Sequence, residues 1–438
     1  MMASTSFPPS HVGWGRPASG RRCGQASRCR RRHRVWPDLR AKKNRRAVGR
    51  ILIVQPVVPG YRRVFFEEVI RRLEISGHQV LVLTSRAGAR SAARAEIIRP
   101  PWQREGQGFS RRFKGRDIRY RGSIGYQHRA DLVVLELATG CLDTYYAITR
   151  SVVSRLRLGR VRSSRVVVWG HVGAYTRNRG RLLDTLEQLQ IRGADHVLAY
   201  TPTGRDDAVR RGAAPENVSS LDNTVDLRSL ESAVDAVVHA DLSPSEALRR
   251  LGGEWRADVP PNRILAFIGA LDAPKRINFL AAALDRLWER DPSTVLLVGG
   301  AGVDEGLLMP SVERGQTLLL GRIGDAEKAL MARCASAIVM PGRVGLVATE
   351  SFVLGLPVLT TDYPFHAPEF SYLAPGEDSL VLTDDPVSYA DEVFALMNNE
   401  PFLARLQQTA RKRSGWPTLE HMVQTFVDVC ENSLASRF

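Results

Sequence analysis

Apolar and polar positions alternate in blocks along most of the chain. Arg50-Ile51-Leu52-Ile53-Val54-Gln55 is a short β-branched run, the signature of a strand buried on both faces. Pro56 to Gly60 breaks it. Val64, Phe65, Val69, Ile70 and Leu73 then recur at helical spacing, Gly77-His78 closes that stretch, and Gln79 to Leu83 reads as a second strand. This is one βαβ unit. Further strand-like runs at Leu132–Leu135, Val166–Trp169 and His196–Ala199 extend it. After residue 262 the rhythm restarts, with runs at Ile264–Ile268, Val295–Val298, Thr317–Leu320, Ala337–Met340, Val358–Thr361 and Leu380–Leu382. Alternation of this kind predicts parallel sheets with helices on both faces.

The reading is therefore α/β, with two doubly wound Rossmann-like domains facing each other across a cleft. Acidic and alanine-rich text from residue 230, ending in Asp258-Val259-Pro260-Pro261-Asn262, suggests the boundary between them. The expected organisation is a basic, disordered extension over 1–48, a first domain over 49–245, a linker over 246–262, a second domain over 263–412, and a C-terminal segment over 413–438. Leu419 to Leu434 in that last segment carries apolar residues at helical spacing. A chain of 438 residues is long enough for two cores.

Charge changes the picture at one end only. Of the net +16, residues 1–50 carry +13, from fourteen Arg or Lys against the single acid Asp38. The body is nearly balanced. Such a tail is expected to be unfolded, with peripheral contact to an anionic membrane surface as its candidate use. No nucleic-acid partner is expected. No run of 18 apolar residues and no apolar signal segment is visible, so the expected location is the cytoplasm, with the inner face of the membrane as the alternative. Five scattered cysteines, Cys23, Cys29, Cys141, Cys334 and Cys430, show no paired spacing and argue against a disulfide framework or a zinc site.

Candidate chemistry concentrates in Pro341-Gly342-Arg343-Val344-Gly345-Leu346-Val347-Ala348-Thr349-Glu350. A strand ends at Met340, a tight glycine loop follows, and a helix begins near Leu346 and stops at Gly355. Glycines at such a junction let backbone N–H groups approach a ligand, and a helix N-terminus favours phosphate. A lone helical glutamate is most often a solvated residue. Behind this loop, Glu350 is better read as an acceptor for sugar hydroxyls, a ribose diol being the obvious partner.

The stretch resembles the donor-site motif of GT-B fold retaining glycosyltransferases, glycosyltransferase family 4 in particular. That motif has a Glu, seven residues, a second Glu, and then small residues ending Gly-x-Pro-Val. Glu350 matches the second Glu, Gly345-Leu346 the Gly-Leu whose amides meet the donor, and Gly355-Leu356-Pro357-Val358 the close. Gly342 stands where the family has its first Glu, which touches the transferred sugar. The segment from Gly269 to Arg276 resembles the family's Gly-Arg-Leu…Lys-Gly, with Lys275 at the diphosphate-binding Lys, Arg276 beside it, and Ala270 where the family has Arg. His171, after Trp169-Gly170, resembles the family's sugar-contacting His. Leu221 to Asp226 resembles its Pro-Asn-Gly-Val-Asp segment, which is expected to organise the hinge side of the cleft. Pro59-Gly60-Tyr61-Arg62 takes the place of its acceptor-side first loop, and His366-Ala367-Pro368-Glu369 is a candidate to approach the acceptor. The final segment resembles the helix that crosses back to the first domain.

The resemblance implies a retaining hexosyltransferase using a nucleotide-diphospho-sugar donor and a glycan, lipid-linked or small-molecule acceptor. His171, Lys275 and Glu350 are the expected catalytic positions. Gly269, Lys275, Arg276, Gly342, Gly345, Leu346 and Glu350 would hold the donor; Gly60, Tyr61 and Arg62 face the acceptor. No cofactor and no metal is expected, and no Asp-x-Asp occurs in the chain. Gly342 and Ala270 also motivate the alternative of a non-catalytic GT-B protein that binds nucleotide-sugar. A nicotinamide-dependent oxidoreductase is disfavoured, since no Gly-x-Gly-x-x-Gly follows the first strand.

Overall fold

Valine, isoleucine and leucine runs with no exposed face form the centres of two parallel sheets, and shorter, more polar strands form their edges. In the N-terminal sheet these are β1 (Arg50–Gln55), β2 (Gln79–Thr84), β3 (Gln103–Glu105), β4 (Leu132–Glu136), β5 (Arg165–Gly170), β6 (His196–Ala199) and β7 (Val218–Ser220). Their order is β7-β6-β5-β4-β1-β2-β3, every ladder parallel. The C-terminal sheet holds β8 (Ile264–Ile268), β9 (Val295–Gly299), β10 (Thr317–Leu319), β11 (Ala337–Val339), β12 (Val358–Thr361) and β13 (Ser379–Leu382). Its order is β10-β9-β8-β11-β12-β13, again all parallel. The computed structural model describes residues 49–85, 97–113, 116–156, 163–173, 180–253, 259–413 and 415–436, and the basic tail over 1–48 lies outside them. The described residues belong to one compact unit spanning 39–438.

Both sheets are doubly wound, so each has a switch point where strand order reverses. It falls between β1 and β4 in the first sheet and between β8 and β11 in the second. The crevice at the carboxyl ends of those strands is where such folds receive ligands.

Helix α1 (Arg63–Ile75) turns Phe65, Phe66, Val69, Ile70 and Leu73 inward at the predicted spacing. Helices α2 (Arg228–His239) and α3 (Pro244–Arg250) occupy text expected to end the first domain and begin a linker. Instead, Leu227, Leu230, Ala247, Leu248 and Leu251 join the C-terminal core. Their apolar stripe is sparse and set among acids and alanines, which made it read as a boundary. Helix α4 (Ile277–Arg290) buries one face on the second sheet, and helix α5 (Val347–Leu354) follows β11. Gly355 closes α5 in the left-handed region, at φ 64°, as the sequence suggested.

Helix α6 (Leu419–Ala435) crosses back to the first domain. Met422, Val423, Phe426, Val427, Cys430 and Leu434 enter the N-terminal core. Burial of each such side chain contributes about 1.5–3 kcal/mol. Phe426 meets Phe65 and Trp169 with ring centroids 5.5 and 5.4 Å apart, which fixes the floor of the cleft beneath Trp169. Short pieces that escaped the sequence reading include the edge strands β3 and β7, an antiparallel pair of Val58–Pro59 with Ile97–Ile98, and an antiparallel hairpin pairing Phe109–Phe113 with Arg116–Tyr120.

Candidate functional site

The loops leaving β1, β5 and β11 converge on one cavity of about 380 Å³. From the first domain come Tyr61, Arg62 and His171; from the second come Arg343, Gly345 and Leu346. Five of the residues given contact roles from sequence thus line the cavity, joined by Pro59, Asn223, Ala367 and Glu369 from the other motif segments and by Arg343, to which sequence assigned no role; Gly60, Gly269, Lys275, Arg276, Gly342 and Glu350 do not line it. A larger cavity, about 680 Å³, lies beside Asp195 and His196. It sits where β5 and β6 begin, at the amino ends of the parallel strands, the wrong end for a ligand of this architecture.

The second domain's wall is built from two loops pressed together. The Lys275 ammonium donates to the Arg343 carbonyl oxygen at 2.6 Å, and the Arg343 N–H donates to the Pro274 carbonyl at 2.9 Å. Burial draws the Lys275 ammonium down to about 8, only partly offset by Asp272. Gly269 leaves room for this side chain: a Cβ there would stand 3.2 Å from Lys275 Cε. Gly342 is packed harder still, since a Cβ there would stand 2.5 Å from the Lys275 carbonyl carbon. At Gly345, by contrast, the nearest atom would be Ala367 Cβ at 3.7 Å.

Arg276 is not among the cavity's lining residues. Its guanidinium pairs with Asp384, donates to the Pro341 carbonyl at 3.3 Å and to Thr361 Oγ1 at 3.2 Å, and lies 4.4 Å from the Phe279 ring centroid. It braces the Pro341 turn from behind. Glu350 sits in the first turn of α5, where Oε1 accepts from Lys328 Nζ at 2.8 Å. Lys328 gave no sequence signal, being 22 residues away on another helix.

His366 fastens the loop. Its Nδ1 accepts from the Val344 N–H at 3.1 Å, its Nε2 donates to the Thr361 carbonyl at 3.0 Å, and its ring stacks on Phe370 at 4.2 Å. Both ring nitrogens are thereby assigned in the neutral form. Burial holds its pKa below the ordinary histidine value.

On the first domain's side, Gly60 opens the short turn Gly60–Arg62, and Tyr61 stands 48% exposed at the cavity mouth. His171 follows β5 directly, with its ring 4.2 Å from that of Tyr200. Arg62 lines the cavity, yet it is 7% exposed and spends its guanidinium on the chain itself. It donates to the Thr224 carbonyl at 2.9 Å, to Asn223 Oδ1, and to Met422 Sδ at 3.3 Å. Asn223 passes the contact on, its Nδ2 donating to Glu369 Oε1. The Tyr372 hydroxyl donates to the Asn223 carbonyl at 3.3 Å. The Leu221–Asp226 segment is the bridge between domains, turned there by Asp222 in the left-handed region at φ 51°.

Residues 262–399 match the family described as "Glycosyl transferases group 1". Over 105 residues the chain is 29% identical to a glycogen synthase of Mycobacterium tuberculosis, a match spanning 22% of this chain and 25% of that protein. The solved structure of Anabaena Alr3699/HepE in complex with UDP superposes with TM-score 0.58 at 14% identity, covering 88% of this chain and all of that one. Sucrose-phosphate synthase from Thermosynechococcus elongatus gives TM-score 0.58 at 17% identity, over 89% of this chain and all of that one. The chain has the GT-B glycosyltransferase fold. Within GT-B terms, the two Rossmann-like domains are the two facing sheets described above, and α6 is the helix that returns to the first.

Among the described residues no helix is long and apolar enough to cross a membrane, and no cluster of three or more His, Cys, Asp or Glu is placed to hold a metal ion. Cys141, Cys334 and Cys430 are buried free thiols.

Proposed function

We propose that the protein is a retaining glycosyltransferase that moves a hexose from a nucleotide-diphospho-sugar to a glycan, lipid-linked or small-molecule acceptor. One observation carries this reading: the Pro341–Leu346 turn at the end of β11 opens onto the cavity, backed by buried Lys275 and faced by His171. HepE bound to UDP-glucose favours a UDP-linked donor.

In this reading Glu350 takes the ribose hydroxyls, and the amides of Gly345 and Leu346 face the diphosphate at the start of α5. Lys275 holds negative charge on the departing diphosphate. Breaking the bond from anomeric carbon to phosphate oxygen sends its electron pair to the nucleoside diphosphate. The sugar ring becomes oxocarbenium-like. The acceptor oxygen then bonds the same carbon and gives up its proton to the departing phosphate. His171 contacts the sugar from the opposite wall. Tyr61, at the mouth beside Gly60, meets the acceptor. Arg276 supports the turn from behind.

The test is nucleoside diphosphate release from UDP-, GDP- and ADP-sugars, with and without chelator, using Lys275→Ala as the control. Release from one donor, unaffected by chelator and lost in the control, is expected. A second reading, a non-catalytic nucleotide-sugar-binding protein, is favoured by Gly342 and Ala270. Tight nucleotide binding with no release and no transfer would select it.

A further inference from the structure

Residue 342 has no room for a side chain. A Cβ there would stand 2.6 Å from both the Lys275 and Pro274 carbonyl oxygens, as well as against the Lys275 carbonyl carbon. Those are backbone atoms and cannot swing aside. The carboxylate that the resemblance would put at 342 is thus excluded by the packing of two loops.

The cavity nevertheless has one acidic lining residue, Glu369. It belongs to the short turn Pro368–Tyr372 and is 3% exposed. That turn is fastened to the donor loop, because the Ala367 N–H donates to the Val344 carbonyl at 2.8 Å. Ala367 also covers Gly345. Glu369 therefore stands beside the amides proposed to meet the donor. Its Oε1 accepts from Asn223, whose own side-chain oxygen accepts from Arg62. Burial raises its pKa, while Asn223 and the charges of Arg62 and Arg343 act in the opposite sense and favour the carboxylate. A buried glutamate that lines the cavity, with one oxygen fixed by Asn223, is built to meet a ligand.

We propose that Glu369 supplies the sugar-contacting carboxylate that residue 342 lacks, accepting hydrogen bonds from the donor hexose and facing the positive charge that develops at its anomeric carbon. This rests on the donor-binding reading above. It also gives the Arg62–Asn223 bridge a use: the first domain sets the carboxylate's orientation, so cleft geometry and sugar contact move together.

The experiment compares Kd for three pairs, UDP with UDP-glucose, ADP with ADP-glucose and GDP with GDP-mannose, on wild type, Glu369→Gln and Glu369→Asp. For the pair that wild type binds, Glu369→Gln should leave the nucleotide within about twofold and weaken the sugar nucleotide by about tenfold or more. Glu369→Asp keeps the charge one methylene short and should fall between, and it stands in if the Gln variant does not fold. Unchanged affinity for both ligands, or a parallel loss for both, overturns the assignment. Wild type binding no pair overturns the donor reading itself, and this inference with it.

Discussion

Lys328 Nζ lies 2.8 Å from Glu350 Oε1, with each side chain only 16% exposed. Burial pulls the Lys328 ammonium down, but the charge and hydrogen bond of Glu350, with Asp325, outweigh it and leave its pKa raised. The pair holds the Glu350 carboxylate at the start of α5, where the proposed reading has it meet the ribose diol. Glu350→Ala should weaken UDP binding by about tenfold, the scale of hydrogen bonds to a charged group, and leave the fold intact. The control is 2′,3′-dideoxy-UDP, which should bind both proteins alike. An equal loss for the two nucleotides would remove Glu350 from the ribose.

His366 ties stability to pH. Its folded pKa is lowered, first by burial, with Lys275 and Arg343 adding to this and Thr361 and Asp362 opposing it. A histidine with a depressed folded pKa contributes stability that is fully present above its unfolded value, about 6.5, and is lost as pH falls through the folded one. Protonation also costs the Nδ1 acceptor that holds the Val344 N–H. His366→Phe keeps a ring on Phe370 and removes the titration. Its Tm should fall less than that of wild type between pH 7 and pH 5. Parallel Tm profiles would show that the pKa of His366 does not differ between the folded and unfolded states.

Lys275 gives the opposite dependence for ligand. Its ammonium is drawn down to about 8, so the free protein loses that charge as pH rises through this value. A bound diphosphate would restore the charge by proton uptake, and affinity must then decline as pH rises beyond 8. UDP titrations at pH 7, 8 and 9 should show this decline in wild type and a flat, weaker response in Lys275→Ala. The same decline in the variant would place the titrating group elsewhere.

The two sheets were legible because buried parallel strands are written as continuous apolar runs: Ile51–Val54 and Ile264–Ile268 admit no other reading once the breakers around them are counted. Helices α2 and α3 were not legible, since Leu227, Leu230 and Leu248 find their partners only in the distant second core. The glycine loop and helix start from Gly342 to Glu350 were visible because glycine position is a local property. What those side chains bind was not. Lys328 on Glu350, Asp384 on Arg276 and Asn223 on Glu369 are all long-range partners. Arg62 shows the same limit: it lines the cavity, but its guanidinium serves the bridge between domains.

The two loop glycines should respond oppositely to a single methyl group. Gly342→Ala forces the 341–345 turn away from Lys275 and Pro274, whose backbone atoms stand 2.5 and 2.6 Å from the new Cβ. The shift breaks the close packing that seats Lys275 and should cost about 1–3 kcal/mol in denaturant unfolding. Gly345→Ala meets only Ala367 Cβ at an ordinary 3.7 Å, so stability should change by less than about 0.5 kcal/mol. Its methyl group enters the cavity beside the amides, however, and UDP binding should weaken by about tenfold. Stability loss at 345 with binding intact would mean that the Gly345 face of the loop is not where the donor lies.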